Sequence, residues 1–147
     1  MDCISIIPYS DNAHRAEVIA LWQEVFGYEA AHNKPELVID RKVAFDDELF
    51  FVAAEGQSVV GTIMAGYDGH RGWIYSVAVS PARRRRGVGS QLVRFAESAL
   101  AKKGCVKVNL QIMEQNESVS AFYVSLGFSV EKRISMGKQI RENISVD

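Results

Sequence analysis

The stretch Val77-Ala78-Val79-Ser80-Pro81-Ala82-Arg83-Arg84-Arg85-Arg86-Gly87-Val88-Gly89-Ser90-Gln91-Leu92 decides how this chain is organised. An apolar strand enters a proline-marked turn, passes four arginines and two glycines, and emerges as the start of an amphipathic helix. The strand delivers the backbone to the turn, and the glycines let it expose its N–H groups. The helix start adds donors that have no intrahelical partner, together with the positive end of its dipole. That order is a plan for an anion site.

Immediately upstream, Leu49 to Ala54 reads as a strand, turned by Glu55-Gly56-Gln57, and Val59 to Tyr67 returns as its antiparallel partner. Asp68-Gly69-His70-Arg71-Gly72 is a second turn, and Trp73 to Val79 runs back as a third strand. Downstream, from Gly89 to about Lys103, Leu92, Val93, Ala96 and Leu100 form an apolar stripe that Gly104 ends. Cys105 to Ile112 then reads as a strand with Val106, Val108, Leu110 and Ile112 on one face. Strand, helix and strand from Trp73 to Ile112 form a crossover unit, which predicts two parallel neighbours.

Further out, Cys3 to Pro8 suits a first strand, and Ser10-Asp11-Asn12 supplies capping residues for a helix. In that helix Val18, Leu21, Trp22 and Val25 share a face, and Gly27 stops it. Asn33 to Phe45 reads as a second helix with Asn33 as cap, Pro35 in its first turn and a charged middle at Asp40, Arg41 and Lys42. The link from Tyr28 to Asn33 has the polar, aromatic character of a binding loop. Toward the other end, Glu114 to Ser118 caps a short helix in which Val119, Phe122, Tyr123 and Leu126 share a face before Gly127. Phe128 to about Ile140 can supply a last pair of strands, ahead of a polar, frayed tail from Arg141 to Asp147. The fold class is therefore α+β, with a mixed, mostly antiparallel sheet and one parallel crossover, in a single domain over residues 1–147.

The 147 residues carry a formal net charge of −1, so no global field draws the protein to nucleic acid or to an anionic membrane. The start Met1-Asp2-Cys3 lacks the pattern of a signal peptide, and no apolar run approaches the ~20 residues of a membrane helix. Cys3 and Cys105 match no metal-ligand spacing and read as free, buried thiols of a cytoplasmic protein. No metal is expected.

Several anion-binding plans compete for Arg83 to Gly89. A nucleotide P-loop needs Gly-Lys-Ser/Thr, but Gly89 is followed by Ser90-Gln91. A dinucleotide fingerprint needs a small residue where Leu92 stands. A nucleic-acid patch would use the arginines, yet the nearby strands carry no obvious stacking platform. A solvated turn would account for the arginines alone, not for their coincidence with two glycines and a helix start.

Arg84-x-x-Gly87-x-Gly89, entered from Val77 to Pro81, resembles the acyl-CoA-binding segment of the GNAT superfamily of N-acetyltransferases. Asn116-Glu117-Ser118-x-Ser120-Ala121-Phe122-Tyr123-x-x-Leu126-Gly127-Phe128 resembles that family's second signature, in the family's order. The resemblance runs from about Ile4 to Ile140, and the turn Gly66 to Gly72 is similar to that of the small bacterial YpeA-like branch. It implies a central sheet with a splayed parallel strand pair and helices on both faces. It also implies direct transfer of an acetyl group from acetyl-CoA to a primary amine, whether of an amino acid, a small amine or a protein N-terminus.

Site residues follow from the same resemblance. Backbone N–H groups of Arg84, Arg85, Arg86, Gly87, Val88, Gly89 and Ser90 would cradle the CoA pyrophosphate. Val77, Ala78 and Val79 would hold pantetheine like an added strand, and the N–H near Val77 would polarise the thioester carbonyl. Asn116 and Phe122 would meet the pantetheine arm. Tyr123 would be the general acid, because a phenol is protonated at neutral pH and can return a proton to the CoA thiolate.

The base is where the chain departs from the pattern. Many relatives carry an acidic residue near positions 75 and 76, where this chain has Tyr75 and Ser76, either of which could hold a water. Asp68 and His70 in the preceding turn are further candidates. The missing acid keeps open a second class of function, a CoA-binding or CoA-sensing module with little transfer activity. A third class, nucleic-acid binding through Arg83 to Arg86, predicts affinity that falls steeply with salt. Acetyl-CoA and an amine acceptor are the expected partners, with neither nucleic acid nor membrane, in a monomer or a homodimer.

Overall fold

The structure is a computed structural model that describes residues 3–27 and 34–141. Two compact units make up the chain, Met1–Leu110 and Gln111–Asp147. The first is built on a five-stranded sheet in sequence order: β1 Ile4–Pro8, β2 Phe50–Glu55, β3 Ser58–Tyr67, β4 Gly72–Val79 and β5 Val108–Asn109. The first four strands pair antiparallel, and β5 is parallel to β4. The mixed, mostly antiparallel sheet with one parallel pair is the expected fold class.

Helices cover both faces of the sheet because successive strand residues point to opposite sides. On one side, α1 (Asp11–Phe26) packs Val18, Leu21 and Trp22 with Phe50, Val52, Met64 and Ala78. On the other, α3 (Val88–Lys102) buries Val88, Leu92, Val93, Ala96 and Leu100, and its Phe95 ring meets Phe51 edge-on. Two glycines set how close α3 can come. A Cβ at Gly61 would lie 3.0 Å from the Ala78 carbonyl oxygen and 3.0 Å from Leu92, and one at Gly72 would lie 3.1 Å from Leu100 Cδ1, as well as 2.6 Å from Cys105 Sγ beyond the helix.

Local signals are used in part. Ser10 is the N-cap of α1, but its hydroxyl caps nothing; its N–H instead donates to His14 Nδ1 at 2.9 Å. The second helix, α2 (Pro35–Phe45), starts after Lys34 and ends at a left-handed Asp46. Asn33 as its cap, and the Tyr28–Asn33 link, lie outside the described residues. Lys42, in the charged middle of α2, turns inward: it is 7% exposed and its ammonium pairs with Asp47 at 2.7 Å and donates to the Ala65 carbonyl.

Three expectations are corrected. The strand from Cys105 to Ile112 contracts to Val108–Asn109, because its ladder reaches only Gly72 and Trp73 of β4, and an edge strand lasts only as long as its ladder. Val106 accordingly points to solvent. Cys3 is exposed and Cys105 half-buried, so the free thiols are not core residues. In the second unit, a 3-10 turn at Glu114–Val119 leads into α4 (Ser120–Ser125), but residues 128–141 form no strand. Val130, Ile134, Met136 and Ile140 alternate as a strand would, yet with no ladder beside them they stay exposed. The tail beyond Arg141 lies outside the described residues.

Candidate anion cradle beside a bulged strand

After β4 the chain makes one 3-10 turn at Pro81–Arg83 and becomes extended at Arg84. Arg85 (φ +66°) and Gly87 (φ +78°) then take left-handed conformations before α3 begins at Val88. Left-handed residues within a turn swing successive N–H groups toward one side, which makes a concave nest for an anion. A Cβ at Gly87 would meet nothing within 4 Å, so glycine is favoured there by its φ and not by crowding. No side chain caps α3, and the N–H of Gln91 is the first to reach a helical carbonyl, Gly87 O at 3.0 Å. The N–H groups of Val88, Gly89 and Ser90 belong to the first turn, where the helix provides no acceptor. These donors and the open space at Gly87 fit a phosphate group.

The four arginines divide into two pairs. Arg83 donates from Nε to Glu55 Oε1 at 2.6 Å, and Arg86 reaches Glu55 Oε2 at 3.2 Å. The Arg83 hydrogen bond, more than the charge of either arginine, holds the Glu55 carboxyl below the usual carboxylate range. Arg84 and Arg85 are exposed and make no ion pair among the described residues. Sequence reasoning placed Glu55 only in a turn. The clamp spans 28 residues, and no local spacing announces it.

Beside the cradle, β4 carries a bulge. Thr62 pairs with Ala78 and Met64 with Tyr75, so Ile63 of β3 faces both Ser76 and Val77. Ser76 sits at φ +53°, a conformation that costs a non-glycine residue on the order of 1 kcal/mol. Two hydrogen bonds hold it there. The Thr62 hydroxyl donates to the Ser76 carbonyl at 2.9 Å and accepts from Trp22 Nε1 at 2.8 Å. Past Trp73 the far edge of β4 runs through Val77, Ala78 and Val79 without a ladder partner among the described residues. The parallel pairing therefore ends short of the bulge. Tyr75, just before it, is half-exposed with its ring 5.5 Å from the Lys42 ammonium.

Asp68 and His70 are not brought to this place. They sit in the turn before Gly72, at the closed end of the parallel pair, about 13 Å of strand away from Ser76. Asp68 Oδ1 accepts the N–H groups of His70 and Arg71, each at 2.7 Å, and the bond from Arg71 is the main reason its carboxyl lies below the usual range. Among the described residues, no three His, Cys, Asp or Glu side chains gather as a metal site.

In the second unit, Asn116 is exposed and non-helical (φ −105°, ψ 31°) inside the 3-10 segment, where its N–H donates to Met113 O at 2.8 Å. Tyr123 is 9% exposed, with Phe122 and Phe128 edge-on to its ring. Burial pushes the phenol above its ordinary value, so it holds its proton well past neutral pH.

Solved structures share this architecture. An aminoglycoside N-acetyltransferase, AAC(6')-Iy in complex with CoA, superposes with a TM-score of 0.76 at 17% identity, covering 96% of this chain and 97% of that one. Ard1 from Thermoplasma volcanium gives 0.75 at 26% identity, covering 87% and 84%. Residues 15–128 match the model of the acetyltransferase (GNAT) family, and the chain belongs to that family. An acetyltransferase of Yersinia pestis is 39% identical over 124 residues, which is 84% of this chain and 87% of that protein. The protein is thus an acyltransferase that moves acetyl groups.

Proposed function

We propose that the protein transfers an acetyl group from acetyl-CoA directly to a primary amine. The observation that carries this reading is the uncapped start of α3, entered through left-handed Arg85 and Gly87, beside a strand edge that has lost its ladder. First-turn N–H groups from Val88 to Ser90 take the pyrophosphate, and the α3 dipole adds to the attraction. Arg84 and Arg85 add charge at the rim. Val77, Ala78 and Val79 hold the pantetheine amides along the open edge. Acetyl-CoA supplies the activated thioester. The N–H at the bulge stabilises the oxyanion that forms when the amine nitrogen bonds to the carbonyl carbon.

As the C–S bond breaks, Tyr123 gives its phenolic proton to the departing sulfur and regains one from solvent. That role rests on its place in the second signature and on its raised pKa. Asn116 and Phe122 hold the pantetheine arm by the same resemblance. The incoming amine loses its proton to water held at Tyr75 and Ser76, whereas Asp68 Oδ1 accepts two N–H groups of its own turn.

The test is calorimetric titration with acetyl-CoA, followed by a panel of amino acids, polyamines and peptide N-termini with free-thiol detection of CoA. Binding with release of CoA to one acceptor class supports transfer. Tight binding with no transfer to any amine would make the protein a CoA-sensing module, and salt-sensitive nucleic-acid binding that CoA cannot displace would sink the cradle.

A further inference from the structure

The Trp22–Thr62 pair lies outside the cradle, and it holds the Ser76–Val77 peptide of the β4 bulge. Both side chains are fully buried, on α1 and β3 respectively. A threonine hydroxyl has one proton to give and lone pairs to receive with. Trp22 Nε1 can only donate, so it occupies a lone pair of Thr62 Oγ1 and leaves the hydroxyl proton for the Ser76 carbonyl. All peptide bonds described are trans, and in a trans peptide the C=O and the following N–H point in opposite directions. Because the Ser76 carbonyl is drawn toward Thr62 on β3, the N–H of Val77 is turned away from β3. The other side of β4 at that height is the edge without a ladder.

We infer that Trp22 and Thr62 are positioning residues for acetyl transfer, and that their relay locks the β4 bulge so that the Val77 N–H is aimed at the thioester carbonyl. The inference rests on the acetyl-CoA reading above and names what makes the oxyanion donor rigid. Without the relay, Ser76 would lose the partner of its carbonyl in a conformation that is already unfavourable. The bulge would relax, and the donor would have to reorient during the reaction, which is the cost a preorganised donor avoids.

The test uses the full-length protein labelled with 15N and acetyl-CoA labelled with 13C at its carbonyl. In the wild type the Val77 amide proton should move downfield on adding acetyl-CoA, and move less with free CoA, which lacks the carbonyl. The bound carbonyl stretch should fall to lower wavenumber. Thr62→Val should lose most of that infrared shift and about tenfold or more in kcat, with the KM for acetyl-CoA nearly unchanged. Thr62→Ser, which keeps the hydroxyl, should retain both, and Trp22→Phe should fall between them. Melting temperatures recorded alongside separate a loss of fold from a loss of aim. If Thr62→Val does not fold, Trp22→Phe carries the test by the same two readouts, and an unchanged infrared shift and kcat there overturn the inference. A folded Thr62→Val that keeps both the infrared shift and kcat overturns the inference and spares the parent reading. Failure of the wild type to bind CoA at all overturns both.

Discussion

Arg83 grips Glu55 from across the sheet: its Nε and one terminal nitrogen both reach Oε1 at 2.6 Å, while Arg86 takes the other carboxylate oxygen at 3.2 Å. A turn residue at the end of β2 thus anchors both ends of the arginine run. The two middle arginines stay exposed, and the outer two are spent on holding the loop.

That division sets an order of damage. Gly87→Val should weaken acetyl-CoA binding most, by about tenfold, because a β-branched residue at φ +78° costs on the order of 1–2 kcal/mol and distorts the nest. Arg84→Ala and Arg85→Ala should each weaken it by a few fold and flatten its salt dependence. Arg83→Ala should do less than Gly87→Val. Isothermal titration at two salt concentrations checks the ranking, and a larger effect at Arg83 would mean that charge, not backbone, makes the site.

The Glu55 clamp also predicts a pH dependence. Its carboxyl has a folded-state pKa below its unfolded value of about 4.3. The stability it contributes is therefore fully present above that unfolded value and is lost as pH falls through the lower folded one. Acid-unfolding curves of the wild type and Glu55→Gln should differ above about pH 5 and converge below the folded value. Parallel curves throughout would show that the clamp contributes nothing.

Gly61 couples packing to the cradle. A methyl there would press on the Ala78 carbonyl, on Leu92 at 3.0 Å and on Val88 at 3.2 Å, and the backbone carbonyl has no room to yield. Gly61→Ala should lift the first turns of α3, destabilise the protein by about 1–3 kcal/mol, and weaken acetyl-CoA binding with it. Chemical denaturation and titration together test this. Normal binding in a destabilised variant would uncouple the helix start from the cofactor.

Tyr123→Phe should lower kcat by about tenfold or more while leaving acetyl-CoA affinity intact. Because burial raises the pKa of the phenol, any alkaline loss of kcat that depends on Tyr123 should be centred above its unperturbed value of about 10. A pH–rate profile of both proteins settles the point, and equal turnover would remove Tyr123 from the mechanism.

His70→Ala should leave kcat and KM within about twofold, since the turn sits at the closed end of the parallel pair, far along β4 from the bulge. A collapse of kcat in this variant, with normal acetyl-CoA binding, would restore the turn as the source of the base.

Much of the first unit was legible because its signals are local. The stripe Leu92, Val93, Ala96 and Leu100 marks a helix wherever it packs, and Gly87 advertises a positive φ that other residues resist. The hairpin of β2 and β3 follows from its turn residues, and the parallel pairing of β4 with β5 from the crossover between them. The reading failed where a residue's state depends on neighbours distant in the chain. Alternation in Cys105–Ile112 and in Phe128–Ile140 looks like strand, yet alternation alone cannot supply the ladder that a strand needs.

By itself, then, the sequence determined the strand, arginine-glycine turn and helix from Val77 to Leu92 and the family to which the chain belongs, because both are written in residues adjacent along the chain. Only the tertiary structure decided that Glu55 takes two of the four arginines, that Lys42 is buried, and that Trp22 and Thr62 hold the Ser76 peptide. Hydrogen bonds and ion pairs form between atoms a few ångströms apart in space, and spacing in sequence carries no record of them.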